Sequence, residues 1–403
     1  MKRKPIKRFA RHIVKTLQEA GYTAFYAGGW VRDFLLGKES DDIDIATSAH
    51  PEEVMRLFPH SIAVGVQFGV VRVRIQGHEF EVATFRSDEQ YIDGRRPSSI
   101  SLHASPEEDA KRRDFTINGM FYDPLHRKVY DYVDGKKDLE RKILATIGSP
   151  RDRFKEDRLR MIRAIRFKNV FHLKAEKTTW NAILEECSHV VASVSPERIW
   201  QELDKMLQKG VLYSCLEDMK ACGLLFHLFP HLKNASQTLL QEAFEAVKRY
   251  KKKSLAAAVC LITPDGAREA VAEKFRLSSK EKAAMTAYSQ LEKKLTPRQR
   301  KDILARLYAL PEVTSALEAL AATKKVPQSF VRRHKEKQKE LSFWINQVKT
   351  RKFLLGGKEF KALGIPSGKR LGELIEKAFS LSCNLGVKNK NKLLSLLHKQ
   401  KIL

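Results

Sequence analysis

The 403-residue sequence predicts an α+β domain with a small mixed sheet, followed by an all-helical remainder. Residues 1–150 alternate between helix-like and strand-like patterns of apolar residues. After Pro150 strand patterns become rare, and apolar residues recur at helical spacing, as in Ile199, Leu203 and Met206. The charge changes at the same place, because residues 1–150 contain 24 Lys and Arg against 22 Asp and Glu, whereas the rest contains 51 against 26. This division is typical of a catalytic domain attached to an RNA-binding body, although a merely solvated basic surface is the alternative.

Composition excludes several classes of protein. No run approaches the ~18 apolar residues of a membrane-spanning helix. The basic residues 1–11 lack the apolar core of a signal peptide. The five cysteines are odd in number and form no C-x-x-C pair, which argues against a disulfide framework or a zinc site. We therefore expect a soluble cytoplasmic protein with no membrane partner.

The elements of the first domain are predicted in a regular order. A helix ends at Gly21, a strand leads into two glycines, and a second helix begins directly after them. An apolar-flanked Asp-x-Asp strand, a third helix and a hairpin joined by Gln76-Gly77-His78 follow. Residues 87–106 are polar and predict a loop. The predicted bounds are 9–20, 23–27 and 31–36 for the first three elements, 51–58 for the third helix, and 70–75 and 79–85 for the hairpin strands.

Gly28 and Gly29 predict an anion-binding turn. Free backbone N–H groups and the dipole at a helix N-terminus both favour a negatively charged ligand there. Asp42 and Asp44 follow, and residues i and i+2 of a strand share one face. Two carboxylates aimed at one point beside a phosphate cradle are suited to holding Mg²⁺ on a nucleoside triphosphate.

A third carboxylate, Glu81, lies between Phe80 and Val82 on a later strand. A Gly-Gly turn, an apolar-flanked Asp-x-Asp and an isolated strand carboxylate together form the pattern of the polymerase-β-like nucleotidyltransferases. We therefore interpret Glu81 as a third catalytic carboxylate. The alternative is a charged residue on the open face of the sheet.

Residues 112–118 combine two arginines and an aspartate before an apolar run. Beside a triphosphate, arginine neutralises phosphate oxygens, and Asp114 can accept a hydrogen bond from a ribose hydroxyl. An exposed helix start is the other interpretation of this segment.

Residues 156–166 predict a helix on which Asp157, Arg160 and Arg163 cover an arc of about 120°. Cytosine and adenine each present an amino donor beside a ring-nitrogen acceptor, so a carboxylate and a guanidinium can select both. Uracil and guanine have the reverse polarity and would leave both protein groups unpaired, at about 1–3 kcal/mol each. A surface salt bridge between Asp157 and Arg160 is the simpler alternative.

These motifs resemble those of the class II tRNA nucleotidyltransferases, or CCA-adding enzymes, and of their bacterial poly(A) polymerase relatives, almost from end to end. The resemblance implies a polymerase-β-like head followed by an all-α neck, body and tail. It also implies contacts with incoming CTP or ATP from Gly29, Arg32, Arg113, Asp157, Arg160, Arg163 and Arg166. The motifs that carry the resemblance are residues 28–37, 42–47, 81–86, 93–97, 112–118 and 156–166. The expected domains are a catalytic head at 1–140, a base-recognising neck at 141–207, an RNA-binding body at 208–345 and a tRNA-binding tail at 346–403.

Within this family the sequence favours the CCA-adding branch. Residues 64–70 lack the basic pattern of the poly(A) polymerases, and the tail segments 355–358, 364–366 and 370–373 resemble those of CCA-adding enzymes. We expect addition of C, C and A to the tRNA 3′ end with two Mg²⁺ ions on Asp42 and Asp44, and no obligate protein partner. The alternatives are an enzyme that adds only A, a poly(A) polymerase, and a non-enzymatic RNA-binding protein.

Overall fold

The structure is a computed structural model that describes residues 4–65, 68–88, 100–295, 299–327 and 329–403. The predicted motif at 93–97 and part of the stretch 64–70 lie outside the described residues. The chain divides into two compact units, Met1–Glu202 with Asp218–Leu228, and Leu203–Glu217 with Phe229–Leu403. The head, neck, body and tail bounds given above stay predictions.

The strands of the described residues all lie in the first unit. They are β1 Ala24–Ala27, β2 Asp44–Thr47, β3 Ser61–Gly65, β4 Val70–Ile75, β5 His78–Thr84, β6 Ser87–Asp88, β7 Ile100–Ser101, β8 Phe121–Asp123, β9 Lys128–Tyr130, β10 Ile143–Leu144 and β11 Lys174–Ala175.

Helices make up most of the remaining chain. They are α1 Lys4–Glu19, α2 Gly29–Leu35, α3 Pro51–Leu57, α4 Pro106–Lys111, α5 Gly135–Glu140, α6 Pro150–Glu156, α7 Leu159–Val170, α8 Lys177–Glu186, α9 Val190–Ser193, α10 Pro196–Gln208, α11 Leu212–Ala221, α12 Leu224–Leu228, α13 Gln237–Arg249, α14 Leu255–Cys260, α15 Asp265–Lys274, α16 Ser279–Lys294, α17 Lys301–Ala309, α18 Val313–Ala322, α19 Phe330–Glu340, α20 Ser342–Thr350, α21 Gly357–Ala362, α22 Lys369–Leu385 and α23 Lys390–Lys399.

The main sheet of the described residues has seven strands in the order β3-β4-β5-β2-β1-β8-β9. Strands β2 and β5 are parallel, with Ile45 opposite Val82, and the other neighbours in this sheet are antiparallel. The apolar face of α1, with Ile13 and Leu17, packs against this sheet in a buried cluster that includes Val71. Strands β1 and β2 lie near the middle of this sheet, so the glycine turn after β1 and Asp44 at the start of β2 adjoin its centre.

The predicted fold class is confirmed, and the predicted glycine turn, hairpin and third helix are all present. The sheet is larger than predicted. The segments that form β3, β8 and β9 are short and show too little alternation of apolar and polar residues to be recognised as strands. The region after Pro150 is helical except for β11, which pairs with β10. Among the described residues, no helix has both the length and the apolar character to cross a membrane.

The single helix predicted over 156–166 is wrong. Helix α6 ends at Glu156, Asp157 has an extended backbone with φ −150° and ψ 104°, and α7 begins at Leu159. The Asp157 side chain accepts a hydrogen bond from the Leu159 N–H at 3.1 Å. Such a local side-chain bond competes with the helical backbone pattern, which accounts for the break.

In the second unit, helical packing continues to the last helix. Trp344 of α20 is buried and donates from its indole Nε1 to the Ser382 Oγ of α22 at 2.9 Å. A separate apolar cluster that includes Leu355, Phe360 and Leu374 packs α21, α22 and α23 together. The basic C-terminal part therefore has cores of its own.

Candidate active site

Two of the predicted carboxylates lie at or just before the start of β2, and the third lies on the neighbouring strand. Asp44 is the first residue of β2, Asp42 lies two residues earlier, and Glu81 lies on the parallel neighbour β5. The pairing of Ile45 with Val82 places Asp44 beside Glu81 on adjacent strands. Partial shielding from water, followed by repulsion from Asp42 and Glu81, raises the pKa of Asp44 to about 6, while Arg113 acts in the opposite direction. Asp42 lies outside β2, so the strand face that Asp42 and Asp44 were predicted to share is not present, and the convergence of the three side chains stays a prediction.

The donor set at this point suits a divalent cation. Carboxylates are hard oxygen ligands, and a bound cation relieves the mutual repulsion that disfavours ionisation of Asp44. Within the part of the chain that the structure describes, no three acidic, histidine or cysteine side chains are close enough to form a complete metal site. Asp42 and Asp44 therefore fit a cation whose remaining ligands come from substrate oxygens and water, as is usual for Mg²⁺.

The glycine turn lies beside Asp44, because Ala27 at the end of β1 pairs with Asp44. Gly28 has a φ of 64°, in the left-handed region, and its N–H donates to the carbonyl of Met120 at 3.2 Å. A Cβ at this position would lie 2.9 Å from Nη1 of Arg113. Only glycine satisfies both the backbone angle and this close approach. The turn therefore brings the backbone before α2 directly against an arginine.

Arg32 of α2 is buried and fully engaged by protein groups. It donates to Asn118 Oδ1 at 2.5 Å and to Asp33 Oδ1 at 2.8 Å. Its guanidinium lies over the ring of Phe171 at 4.0 Å. The fixed orientation is suited to a group that holds an anion without reorganising.

Arg112 and Arg113 share one buried carboxylate. Asp109 is 1% exposed, and it accepts from Arg112 at 2.6 Å and from Arg113 at 2.9 Å. Burial alone would raise the pKa of Asp109, but the two guanidinium groups lower it overall. Asp109 belongs to none of the predicted motifs, although its spacing of three and four residues from the two arginines is a signal of helical pairing.

Asp114 is buried and holds Arg163. It accepts from Arg163 at 2.6 Å, from the Asn118 amide at 3.2 Å and from the Phe115 N–H at 2.9 Å. Burial would raise the pKa of Asp114, but Arg163 and Asn118 bring it below its usual value. The predicted contact with a ribose hydroxyl stays a prediction, whereas the observed contact of Asp114 is the ion pair with Arg163.

The two residues predicted to read the base are each paired with another side chain. A salt bridge between Asp157 and Arg160, the simpler alternative, stays a prediction. Asp157 is bound by Arg198 of α10 at 2.7 Å, and Arg160 lies 2.5 Å from Glu156. Helical spacing does not apply across the break at Asp157, so the sequence pattern does not fix the relation between these two side chains.

Arg166 also has a partner that the sequence did not reveal. Its Nε donates to Glu202 of α10 at 2.6 Å, and Glu202 is 1% exposed. Arg198 and Glu202 were both missed, because each lies about forty residues from its partner and no local pattern marks it. The structure thus brings Gly28, Gly29, Arg32, Asp42, Asp44, Glu81, Arg113, Asp114, Asp157, Arg160, Arg163 and Arg166 into the first unit.

Comparison with known families gives two matches. The family described as "Poly A polymerase head domain" matches residues 24–145, which contain the glycine turn and the carboxylates. The family described as "Probable RNA and SrmB- binding site of polymerase A" matches residues 172–236.

Curated proteins similar to this chain include two named "CCA-adding enzyme". The one from Streptococcus gordonii is 40% identical over 233 residues, which are 58% of this chain and 57% of that protein. The one from Geobacillus sp. is 41% identical over 238 residues, 59% of this chain and 57% of that protein. The matched region is thus little more than half the length of these relatives.

A solved structure is similar over nearly the whole chain. It is the Bacillus stearothermophilus CCA-adding enzyme in complex with CTP, which has a TM-score of 0.80, 27% identity and 99% coverage of both chains. The Thermotoga maritima CCA-adding enzyme complexed with tRNA_CCA shares the fold, with a TM-score of 0.66, 21% identity and coverage of 98% and 96%. The family resemblance seen in the sequence is confirmed by these matches.

Proposed function

We propose that this chain, which resembles the class II tRNA nucleotidyltransferases, adds C, C and A to the 3′ end of tRNA from CTP and ATP, with release of pyrophosphate and without a nucleic-acid template. The observation that carries the proposal is the position of Asp44 at the start of β2, beside Glu81 on the parallel strand β5, in a unit that also contains the glycine turn against Arg113. Relatives named CCA-adding enzyme, one of them bound to CTP, support the choice of substrates.

Nucleotidyltransferases of this family generally use divalent metals, and we propose Mg²⁺ for this chain. Asp42 and Asp44 would hold it, because their oxygens are the ligands that Mg²⁺ prefers. When bound, the metal would supply activation of the terminal ribose hydroxyl and charge stabilisation at the reacting phosphate. Glu81 would add negative charge at the adjacent strand and help to fix the position of the cation.

The arginines would bind the triphosphate. Arg113 lies against the glycine turn, and Arg32 and Arg163 are each fixed by protein acceptors. Guanidinium groups held in place donate to phosphate oxygens without the cost of ordering a flexible side chain. Arg166 is proposed to have the same role.

Asp157 and Arg160 would read the base. The carboxylate accepts from the exocyclic amine that cytosine and adenine share, and the guanidinium donates to the neighbouring ring nitrogen. Uracil and guanine would place a carbonyl acceptor against the carboxylate and a ring N–H donor against the guanidinium. Both protein groups would then lose their hydrogen bonds. One pair of side chains therefore suffices for both correct nucleotides.

The basic remainder would bind tRNA mainly through phosphates, by shape rather than sequence. We propose the head, neck, body and tail bounds 1–140, 141–207, 208–345 and 346–403 for this division of labour, in a cytoplasmic enzyme. The net charge of residues 151–403, with 51 Lys and Arg against 26 Asp and Glu, supports it.

The function is tested by incubating the full chain with tRNA that lacks its last one, two or three nucleotides, with each NTP separately and with CTP and ATP together. We expect each tRNA to be completed to CCA and then to stop. Addition of A alone to tRNA ending in CC would indicate an A-adding enzyme, and long A tails would indicate a poly(A) polymerase. The absence of any incorporation would indicate a non-enzymatic RNA-binding protein.

A further inference from the structure

A row of charged side chains crosses the main sheet at the proposed metal-binding carboxylates. Arg72 of β4 lies directly opposite Glu81 of β5, and Glu81 lies beside Asp44 of β2. Residues directly opposite each other in an antiparallel pair share one face of the sheet, so Arg72 and Glu81 point to the same side. Glu81 also contributes to the raised pKa of Asp44, so the charge of Glu81 acts at that carboxylate. Arg72 is therefore the next side chain along the row that we assign to the site.

The guanidinium of Arg72 bridges two carboxylates of β5. Its Nη2 donates to Oε1 of Glu81 at 3.3 Å, and its Nη1 lies 3.4 Å from Oε2 of Glu79. The Arg72 side chain is 34% exposed, so water screens this contact less than it screens a fully exposed ion pair. Because β4 and β2 flank β5 on opposite sides, Arg72 and Asp44 approach Glu81 from opposite directions.

A guanidinium and a divalent cation compete for the same carboxylate. Both are positive, so the charge that Arg72 supplies at Glu81 weakens the attraction of Glu81 for a cation beside Asp44. Mg²⁺ is usually bound by one or two protein carboxylates and completes its coordination with substrate phosphates and water. A site in which one carboxylate is already paired would therefore hold the cation weakly until a nucleoside triphosphate supplies further oxygens.

We propose that Arg72 is a positioning residue that restrains Glu81 and weakens the binding of a divalent cation in the absence of nucleotide. It keeps one oxygen of the third carboxylate on the β4 side of the row, so the substrate-free protein does not bind the cation tightly. This inference rests on the proposed function, because it requires Asp44 and Glu81 to belong to a metal-dependent site. An ordinary cross-strand ion pair would have no effect on metal affinity.

The test measures the binding of Mn²⁺ alone to the substrate-free full chain, from the electron paramagnetic resonance signal of free Mn²⁺. Mn²⁺ replaces Mg²⁺ here because both prefer carboxylate and water oxygens. The binding that is lost in Asp44→Asn defines the site. We expect the Kd of this site to fall about fivefold in Arg72→Gln, because Glu81 is released to the cation. An unchanged or a higher Kd would overturn the proposal.

Arg74→Gln is the matched control for the loss of one positive charge. Arg74 is two residues along β4, on the same face, and pairs with Glu79 at 2.6 Å. Its replacement removes the same charge from the same strand without releasing Glu81. We expect the Kd for Mn²⁺ to change by less than about twofold in this variant. An equal fall in Arg72→Gln and Arg74→Gln would overturn the proposal, because it would show a general effect of net charge.

A double variant shows whether Arg72 acts through Glu81. In a Glu81→Gln background, Arg72→Gln should change the Kd for Mn²⁺ by less than about twofold. A fall as large as that in the single variant would overturn the proposal. Should Arg72→Gln fail to fold, Arg72→Met keeps the alkyl part of the side chain and carries the same expectation.

Nucleotide incorporation by the wild type separates this inference from the proposed function. A wild type that incorporates CTP and ATP, together with an unchanged Kd for Mn²⁺ in Arg72→Gln, would contradict only the role of Arg72. A wild type that incorporates neither nucleotide would contradict the proposed function itself.

Discussion

At the scale of single residues, the arginines proposed to bind nucleotide are held by carboxylates. Arg163 is bound by the buried Asp114, and Arg166 by the buried Glu202. A buried carboxylate that lost its arginine would be left as an uncompensated charge, so each partner constrains the other. The arginines are thereby oriented before a ligand arrives, which lowers the reorganisation needed for phosphate binding.

Some of this arrangement could be predicted from the sequence. Alternating apolar residues were enough to predict the strands that carry Asp44 and Glu81, whereas Asp42 lies before β2, where the two-residue period of a strand does not apply. The partner of Asp157 could not be predicted, because Arg198 is on another helix and nothing in its neighbours distinguishes it from a surface arginine. Tertiary contacts of this kind have no local periodicity.

Asp157→Ala tests base selection at the residue scale. Loss of the acceptor for the exocyclic amine should lower the kcat/KM ratio of CTP over UTP, and of ATP over GTP, by about tenfold or more. A pair with only a structural role would instead cost about 0.2–1 kcal/mol of stability and leave both ratios unchanged. The measurement is the set of four kcat/KM values in the variant and in wild type.

Glu81→Gln tests whether the third carboxylate takes part in the reaction. Because Glu81 lies beside Asp44, we expect the rate of nucleotide incorporation to fall about 10²-fold. Glu79→Gln is the matched control, since Glu79 lies on the same face of β5 and is paired with Arg74 at 2.6 Å. Equal rates of incorporation in the two variants would show that Glu81 is only a charged residue on the open face of the sheet.

At the scale of elements, the site depends on connections between strands and helices. The turn after β1 places Gly28 against Arg113, and the break between α6 and α7 frees Asp157 from the helical pattern. The glycine turn was predictable because glycine marks it in the sequence. The helix break was not, because residues 156–166 have no proline or glycine and continue a helical apolar pattern.

Asp109→Asn tests the connection between α4 and the arginines that follow it. The first unit should lose about 3 kcal/mol of stability near neutral pH, because two guanidinium groups lose a buried carboxylate. Urea unfolding followed by far-UV circular dichroism gives the free energy of unfolding. A loss below about 0.5 kcal/mol, the size of an ordinary surface substitution, would contradict this role.

The lowered pKa of Asp109 predicts that the stability of the first unit depends on pH. The pKa of Asp109 is lowered in the folded state, so its contribution to stability is present above the ordinary carboxyl pKa of about 4 and is lost as pH falls through the lowered value. Wild type should therefore lose stability more steeply than Asp109→Asn on acidification below about pH 4. Parallel curves for the two proteins would show that Asp109 does not contribute.

At the scale of the whole molecule, charge is distributed unevenly along the chain. Residues 1–150 are nearly neutral, whereas the rest carries 51 Lys and Arg against 26 Asp and Glu. This asymmetry and the order of domain types could be predicted from composition. The residues that contact RNA could not, because basic side chains occur on many exposed helices and composition does not show which of them face one ligand.

Salt dependence tests the proposed use of this charge. The affinity of the full chain for tRNA should fall steeply with ionic strength, with a log–log slope of roughly −0.7 to −0.9 for each phosphate contact. Binding isotherms between 50 and 200 mM salt, taken with tRNA that lacks its CCA end, give the slope. A slope near zero would mean that the basic remainder does not bind phosphates.

The proposed active site is tested most directly by nucleotide incorporation under single-turnover conditions in Asp42→Asn and Asp44→Asn, with a tRNA binding isotherm for each variant. We expect the rate to fall about 10³-fold or more in both, because neither variant retains the pair of carboxylates that would hold the metal. The affinity for tRNA should stay nearly unchanged, since the basic remainder is intact. Incorporation by either variant at more than about a tenth of the wild-type rate would contradict the assignment of the active site.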